Sequence, residues 1–143
     1  MTLNDVKALV RDVYDFPKKG IIFKDLTPIF KSAEALRFLA DELYEIYKDR
    51  GLTKIIGIES RGFILGSILA YRLGIGFVPI RKKGTLPAET IEVSYDMEYG
   101  ESTIEIHKDA LTEKDVVLIH DDLLATGGTM ESACRLVKKL GVE

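Results

Sequence analysis

An apolar run at residues 116–120 leads into two adjacent carboxylates, Asp121 and Asp122, and then into a turn of small residues at 125–129. The β-branched run is typical of a buried parallel strand, and residues 130–140 repeat apolar side chains at helical spacing. The segment therefore predicts a strand, a loop and a helix in that order. This order constrains the fold strongly, because parallel strands joined through helices form an α/β sheet.

The loop between this strand and this helix has the composition of an anion site. At such a junction, backbone N–H groups converge on an anion, and the positive end of the helix dipole attracts it. Gly127 and Gly128 lack a Cβ, so the backbone can approach the anion closely, and the hydroxyls of Thr126 and Thr129 add donors. Phosphate is the anion we expect here.

The acid pair needs a different partner. Asp121 and Asp122 would repel a bare phosphate, so a cationic or hydroxyl-rich group must lie between the acids and the anion. A ribose diol or a magnesium ion would serve, and ribose 5-phosphate carries both hydroxyls and phosphate at a suitable separation. The alternative is a solvated acid pair beside an ordinary turn that caps a helix.

Helical and strand-like patterns alternate along the rest of the chain. Periodicity predicts helices over 3–13, 33–48, 61–73 and 130–140, and strands over 54–58, 75–80, 89–94, 102–107 and 116–120. Polar and apolar residues alternate over 89–107, which indicates an antiparallel hairpin exposed on one face. The sequence thus predicts one α/β domain over residues 1–143, with a twisted, mostly parallel sheet flanked by helices.

Two further strand ends carry cations. Arg61 follows the strand at 54–58, and Arg81 and Lys82 follow the strand at 75–80. Because ligands in open α/β sheets bind beyond the carboxyl ends of the strands, we expect these cations to converge with the acid pair. The alternative is that Arg61 only caps its turn and that Lys82 and the adjacent Lys83 are solvated surface charges.

The charge balance and the N-terminal segment limit the partners. A formal net charge of −3 gives no broad basic surface for nucleic acid. Residues 1–13 mix charged with apolar side chains, so they do not resemble a signal peptide, and no apolar stretch has the length of a membrane span. We therefore expect a cytoplasmic protein that binds neither nucleic acid nor membrane.

The segment Asp-Asp-Leu-Leu-Ala-Thr-Gly-Gly-Thr at 121–129 resembles the motif with which type I phosphoribosyltransferases bind 5-phosphoribosyl 1-pyrophosphate (PRPP), in the form closest to the adenine-specific members. The resemblance extends through nearly the whole chain and includes residues 15–17, 20–25, 59–63, 80–84 and 98–100. It implies the fold of that family, with a flexible hairpin loop over the site. It also implies transfer of the phosphoribosyl group of PRPP to adenine in purine salvage, giving AMP and pyrophosphate. A phosphoribosyltransferase for another purine base and a non-catalytic PRPP-binding regulatory module remain alternatives.

The resemblance implies a role for each matching residue. In the PRPP site, Asp121 and Asp122 would hold the ribose hydroxyls, and the phosphate would lie in the loop of Ala125, Thr126, Gly127, Gly128 and Thr129. The pyrophosphate would be bound by Arg61, Arg81 and Lys82. Catalysis would rest on Arg61, on the two aspartates and on Glu98, which matches a glutamate of the hairpin loop proposed to take part in proton transfer or to stabilise the transition state.

The base and the cofactor are implied in the same way. Adenine would meet the main chain around Ile22 and Lys24, with Phe23 on its face, although plain core packing is the commoner fate of such a phenylalanine. The cofactor would be Mg²⁺, with Asp121 as the candidate protein ligand, directly or through water. We also expect a homodimer, by analogy with the family.

The chain departs from the family pattern in two places. Thr85 stands after the glycine of the 81–84 loop, where relatives usually have lysine, so one pyrophosphate contact differs. The sequence given ends at Glu143, before the C-terminal segment of the family. We expect this shortening to leave a sheet edge unpaired and the adenine site partly open, which would lower stability and base affinity.

Overall fold

The computed structural model describes residues 1–97, 100–124 and 127–143, and the chain forms two compact units, residues 1–45 and 46–143. The described elements are α1 (Leu3–Lys7), β1 (Arg11–Tyr14), β2 (Ile22–Asp25), α2 (Thr27–Lys31), α3 (Ala33–Tyr47), β3 (Lys54–Ile58), α4 (Gly62–Leu73), β4 (Gly76–Lys82), β5 (Thr90–Met97), β6 (Gly100–His107), β7 (Val117–His120) and α5 (Gly128–Lys139). The single domain predicted from the sequence stays a prediction.

The first unit contains α1, α2, a two-stranded antiparallel sheet and most of α3. Thr2 caps α1 by accepting a hydrogen bond from the Asp5 backbone, and the Asp5 side chain accepts one from the Thr2 backbone. The helix predicted over 3–13 is wrong beyond Lys7. Residues 11–14 instead pair with β2, in a register that places Val13 opposite Phe23.

The second unit contains a five-stranded sheet in the order β5-β6-β4-β3-β7. Strand β3 is parallel to its neighbours β4 and β7, whereas β6 is antiparallel to β4 and β5. Strand β3 is buried from Ile55 to Ile58, as expected for a strand covered on both faces. The predicted α/β fold and the predicted β5–β6 hairpin are confirmed; the hairpin tip, residues 98 and 99, lies outside the described residues.

Glycines allow α4 to begin directly against the sheet. A Cβ on Gly62, the first residue of α4, would lie 2.8 Å from the His120 carbonyl oxygen. A Cβ on Gly57 in β3 would lie 2.5 Å from the Phe77 ring and 2.9 Å from the Gly62 carbonyl oxygen. The start of α4 is therefore held beside the carboxyl ends of β3 and β7, where the sequence predicts the site.

Among the helices in the described ranges, none is long and apolar enough to cross a membrane.

Candidate functional site

Three parallel strands end at the same edge of the sheet and bring distant sequence segments together. Glu59 follows β3, Arg81 and Lys82 end β4, and Asp121 follows β7. A cavity of about 140 Å³ opens there, and its lining includes Glu59, Arg81, Lys82, Tyr95, Asp121 and Thr129. The cavity therefore brings together Asp121, the β4 cations and Thr129, whereas Asp122 and Arg61 are not part of its lining.

The two aspartates share one hydrogen bond and have unequal environments. The Asp122 backbone N–H donates to Asp121 Oδ1 over 2.8 Å. Burial raises the pKa of Asp121 from 3.8 to about 6; the Asp122 side chain adds to the rise, and Arg61 opposes it. Asp121 therefore lines the cavity with its carboxylate, and ionisation of this carboxylate costs free energy because the group is partly buried.

Arg61 pairs with the second aspartate. Its Nε lies 3.0 Å from Asp122 Oδ2, and the Asp122 side chain is only 3% exposed. This oxygen has no hydrogen-bond partner among the described residues, so the contact is an ion pair without hydrogen-bond geometry. Arg61 caps α4 through its backbone position, but no side-chain hydrogen bond caps the helix. The Arg61 side chain therefore contacts the segment that follows β7 as well as beginning α4.

Arg81 and Lys82 are organised by an acid to which the sequence analysis gave no role. Glu59 Oε1 accepts a hydrogen bond from Arg81 Nε over 2.9 Å and one from the Lys82 backbone N–H over 3.1 Å. The terminal nitrogens of Arg81 and the Lys82 ammonium have no partner within the described part of the chain. Lys83 instead pairs with Glu92 at 3.3 Å, in keeping with a surface charge.

The start of α5 forms part of the predicted phosphate loop. Gly127 adopts φ +87°, a left-handed conformation that favours glycine, and α5 begins at Gly128. The Thr129 hydroxyl donates to the Tyr95 hydroxyl over 3.0 Å and so joins the loop to the β5–β6 hairpin. Ala125 and Thr126 lie outside the described residues, as does Glu98.

The predicted adenine residues lie on β2 in the first unit. Ile22 is 52% exposed, and the Phe23 ring packs edge-to-face on Phe16 with centroids 5.2 Å apart. Lys24 Nζ contacts Asp12 Oδ1 at 2.6 Å. Phe23 is half-buried and is not among the buried core residues of its unit.

The sequence analysis missed three residues that organise the site. Glu59 and Tyr95 line the cavity, and Glu105 binds the turn after β4 through both carboxylate oxygens. The position of Glu59 at a strand end was a usable signal. Tyr95 and Glu105 had none, because their contacts depend on how the hairpin lies against β4 and α5.

Comparisons with known proteins agree with this geometry. Residues 24–143 match the phosphoribosyl transferase domain family. The chain is 67% identical over 131 residues to an adenine phosphoribosyltransferase of Bacteroides fragilis, covering 92% of this chain and 74% of that protein. It is 57% identical over 143 residues to an adenine phosphoribosyltransferase of Phocaeicola vulgatus, covering 100% of this chain and 82% of that protein.

Solved structures show the same likeness. The crystal structure of adenine phosphoribosyltransferase from Thermoanaerobacter pseudethanolicus superposes with a TM-score of 0.94 at 50% identity, over 99% of this chain and 82% of that one. The Giardia lamblia enzyme complexed with 9-deazaadenine superposes with a TM-score of 0.96 at 49% identity, over 100% of this chain and 80% of that one.

Proposed function

This chain belongs to the phosphoribosyl transferase family, and from that premise we propose that it transfers the 5-phosphoribosyl group of PRPP to adenine, giving AMP and pyrophosphate. The observation that carries the proposal is the cavity at the strand ends, which is lined by Asp121, by the cations Arg81 and Lys82 and by Thr129 of α5. It lies in a chain that is 67% identical to an adenine phosphoribosyltransferase. Purine salvage is the corresponding role.

The acid pair and the loop are proposed to hold the sugar phosphate. Asp121 and Asp122 accept hydrogen bonds from the ribose hydroxyls, and Asp121, which lines the cavity, is placed for that task. Residues 125–129 bind the 5′-phosphate, with Ala125 and Thr126 assigned from the sequence motif alone. The φ of Gly127 and the α5 dipole support an anion at this turn.

The cations are proposed to bind the pyrophosphate end of PRPP. Glu59 holds Arg81 by its Nε, which leaves the two terminal nitrogens to form a fork against phosphate oxygens. Lys82 is exposed and adds a point charge beside that fork. Arg61, whose Nε contacts Asp122, is proposed as the third cation of this group.

The residues at the acid pair fit a magnesium cofactor. Mg²⁺ favours oxygen ligands, keeps several waters, and binds through one or two carboxylates together with substrate phosphates. The carboxylates of Asp121 and Asp122 supply this limited ligand set, and the described residues contain no group of three or more His, Cys, Asp or Glu that could hold a metal ion by themselves. Asp121 would hold the ion, directly or through water; when bound with PRPP, Mg²⁺ neutralises charge on the leaving pyrophosphate.

The reaction forms the bond from adenine N9 to the ribose C1 while the bond from C1 to the pyrophosphate oxygen breaks, and the N9 proton is lost. Positive charge that develops on the sugar is offset by the two aspartates, and no covalent intermediate with the protein is required. The hairpin is proposed to close over the site and exclude water, with Glu98 at its tip assisting proton transfer at the base or stabilising the transition state.

Base selection is assigned to the main chain of β2. The backbone around Ile22 and Lys24 is proposed to pair with the adenine edge, and Phe23 is proposed to stack on its face. A 6-oxopurine reverses the donor and acceptor at this edge, so it would leave polar groups unpaired at about 1–3 kcal/mol each. A homodimer and a cytoplasmic location also stay proposals, and light scattering after size-exclusion chromatography measures the first.

A turnover assay tests the proposal directly. Purified protein is incubated with PRPP and either adenine, hypoxanthine or guanine, with Mg²⁺ or with EDTA, and nucleotide formation is followed by chromatography. We expect AMP from adenine only, and no product with EDTA. Asp121→Asn should lose activity, whereas Asp109→Asn, a change of the same type at an exposed acid, should not.

Each contrary result identifies a different error. Equal turnover of hypoxanthine or guanine would refute the base assignment while leaving the PRPP site intact. Tight binding of PRPP without turnover of any base would favour the regulatory module. Absence of both binding and turnover would overturn the whole proposal.

A further inference from the structure

Glu105 is a buried acid that the proposed chemistry does not use. It lies in β6 and is only 3% exposed, beside the apolar core residues Ile104 and Ile106. A buried carboxylate is unfavourable unless hydrogen bonds compensate for its lost hydration. The identity of its partners therefore indicates what the acid is for.

Both oxygens of Glu105 bind backbone amides of a single turn. Oε1 accepts from the Gly84 N–H over 3.0 Å, and Oε2 accepts from the Leu86 N–H over 2.9 Å. A carboxylate can accept at both oxygens, whereas an amide side chain would present an N–H₂ donor to one of these N–H groups. The turn thus requires a carboxylate at this position and not only a polar group of similar size.

The remaining amides of this turn also have partners within the chain. The Lys83 N–H donates to the Thr103 carbonyl oxygen over 3.0 Å, and the Thr85 N–H donates to the Lys82 carbonyl oxygen over 3.3 Å. All four amides of residues 83–86 are therefore committed. These amides are therefore not available to an anion, which would have to be bound by side chains. The path of the turn determines where the neighbouring side chains lie.

The turn begins where the cations proposed for pyrophosphate end β4. Arg81 lies directly opposite Glu105 in the β4–β6 register, and Lys82 precedes the turn. Glu59 fixes this segment from the β3 side, and Glu105 fixes it from the β6 side. Two acids on different strands thus hold the segment on which both cations lie.

We propose that Glu105 is a positioning residue for the pyrophosphate end of the substrate, acting through the 83–86 turn on Arg81 and Lys82. The inference rests on the proposed function, because it takes these two cations to bind pyrophosphate. Glu105 itself touches no substrate. Loss of its carboxylate should loosen the turn and weaken pyrophosphate binding, with the base site on β2 unaffected.

Glu105→Gln tests the proposal, with Glu89→Gln as the matched control. Glu89 precedes the same hairpin, and its side chain is 77% exposed and pairs with Lys108. For Glu105→Gln we expect the KM for PRPP and the inhibition constant of pyrophosphate to rise about tenfold, as after the loss of one charge-assisted hydrogen bond. The KM for adenine should stay close to that of the unchanged protein, whereas the melting temperature should fall by a few degrees, because the amide N–H₂ introduced by Glu105→Gln would face a backbone N–H. For Glu89→Gln, every constant and the melting temperature should stay unchanged.

Direct calorimetry with inorganic pyrophosphate separates this inference from the proposed function. If the protein makes no AMP but binds pyrophosphate, and Glu105→Gln weakens that binding, the inference stands and the proposed function fails. If the protein is active and Glu105→Gln changes neither the PRPP nor the pyrophosphate constant, the inference is overturned. A parallel rise in the adenine and PRPP constants would also overturn it, since that pattern indicates a general structural role.

Gly84→Ala decides the matter if Glu105→Gln does not fold. Gly84 has φ +89° and no atom within 4 Å of a Cβ built on it, so alanine would strain the turn without a clash. It should give the same selective loss of PRPP and pyrophosphate binding. Unchanged constants in a folded Gly84→Ala protein would contradict the proposal.

Discussion

Replacing Asp121 with asparagine should make the protein more stable and less active. The folded protein holds the Asp121 proton more tightly than the unfolded chain, because burial raises its pKa from 3.8 to about 6. Ionised Asp121 therefore destabilises the fold above that pH. Asparagine has nearly the same shape, remains neutral, and can still accept the hydrogen bond from the Asp122 backbone over 2.8 Å.

The size of the effect follows from the two pKa values. A change from 3.8 to about 6 corresponds to about 3 kcal/mol at 1.36 kcal/mol per pKa unit. Asp121 is only half-buried, and solvent screens its charge, so we expect about 1 kcal/mol in practice. In a chain of this length, that gain raises the melting temperature by about 3 °C.

The pH dependence has a definite sign. Asp121 is ionised above about pH 6 in the folded protein but already above about pH 4 in the unfolded chain, so its destabilising contribution is complete above about pH 6 and is lost as the pH falls to about 4. The stability difference between Asp121→Asn and the unchanged protein should be largest above pH 6 and vanish as the pH falls towards 4. Other titrating groups are common to both proteins and cancel in this difference.

Urea unfolding of both proteins in EDTA, at pH 7.5 and at pH 4.5, measures the effect. Turnover with adenine and PRPP is measured in parallel at pH 7.5, and kcat/KM should fall at least about tenfold in Asp121→Asn, since an amide accepts poorly from the ribose diol. An Asp121→Asn protein that is less stable at pH 7.5, or equally stabilised at both pH values, would refute the reasoning.

Three further changes test other contacts. Asp115→Asn should lower stability by about 1 kcal/mol at pH 7, because hydrogen bonds lower the Asp115 pKa to about 2, and the loss should fade as the pH falls from about 4 towards 2; chemical unfolding over that range checks it. Tyr95→Phe removes the hydroxyl that accepts from Thr129 over 3.0 Å, so the KM for PRPP should rise a fewfold in steady-state assays with little change for adenine. Gly57→Ala should destabilise the fold by about 2 kcal/mol or more in thermal unfolding, because its Cβ would lie 2.5 Å from the Phe77 ring; an unchanged melting temperature would contradict the packing.

The parallel strands could be predicted because a strand that is buried on both faces consists mostly of apolar residues. Strand β3 was predicted at its observed bounds, since a strand covered on both faces must be apolar throughout. The β5–β6 hairpin was predicted from alternation, which follows from one buried and one exposed face. These patterns depend only on the local chain and on which faces are covered.

The N-terminal hairpin could not be predicted in the same way. Arg11–Tyr14 is largely exposed, and its short mixture of charged and apolar residues also fits an amphipathic helix. Its strand conformation is supported across the ladder by ion pairs, Arg11 with Asp25 at 2.7 Å and Asp12 with Lys24 at 2.6 Å. Such pairs join residues more than ten positions apart, so no local pattern reveals them.

The candidate site was likewise predictable only in part. The sequence indicates which residues follow strand ends, and parallel pairing then brings Arg61, Arg81 and Asp121 to one edge. It does not indicate which acid holds which cation. The Glu59–Arg81 contact depends on side-chain direction, and the place of Glu105 beneath the turn depends on the β4–β6 register.

These pairings explain how opposite charges can be concentrated at one sheet edge before substrate arrives. Arg61 lies against Asp122, and Arg81 lies against Glu59, so each cation balances an acid at 3.0 or 2.9 Å. The Glu59 contact uses Arg81 Nε, and a guanidinium held by this atom still presents its terminal nitrogens in a fixed direction. Under the proposed function, pyrophosphate would bind Arg81 without displacing Glu59, and the side chain would already be oriented for it. Prior orientation of this kind lowers the entropy lost on binding. It explains why an acid, Glu59, can lie beside cations that are proposed to attract a negatively charged substrate.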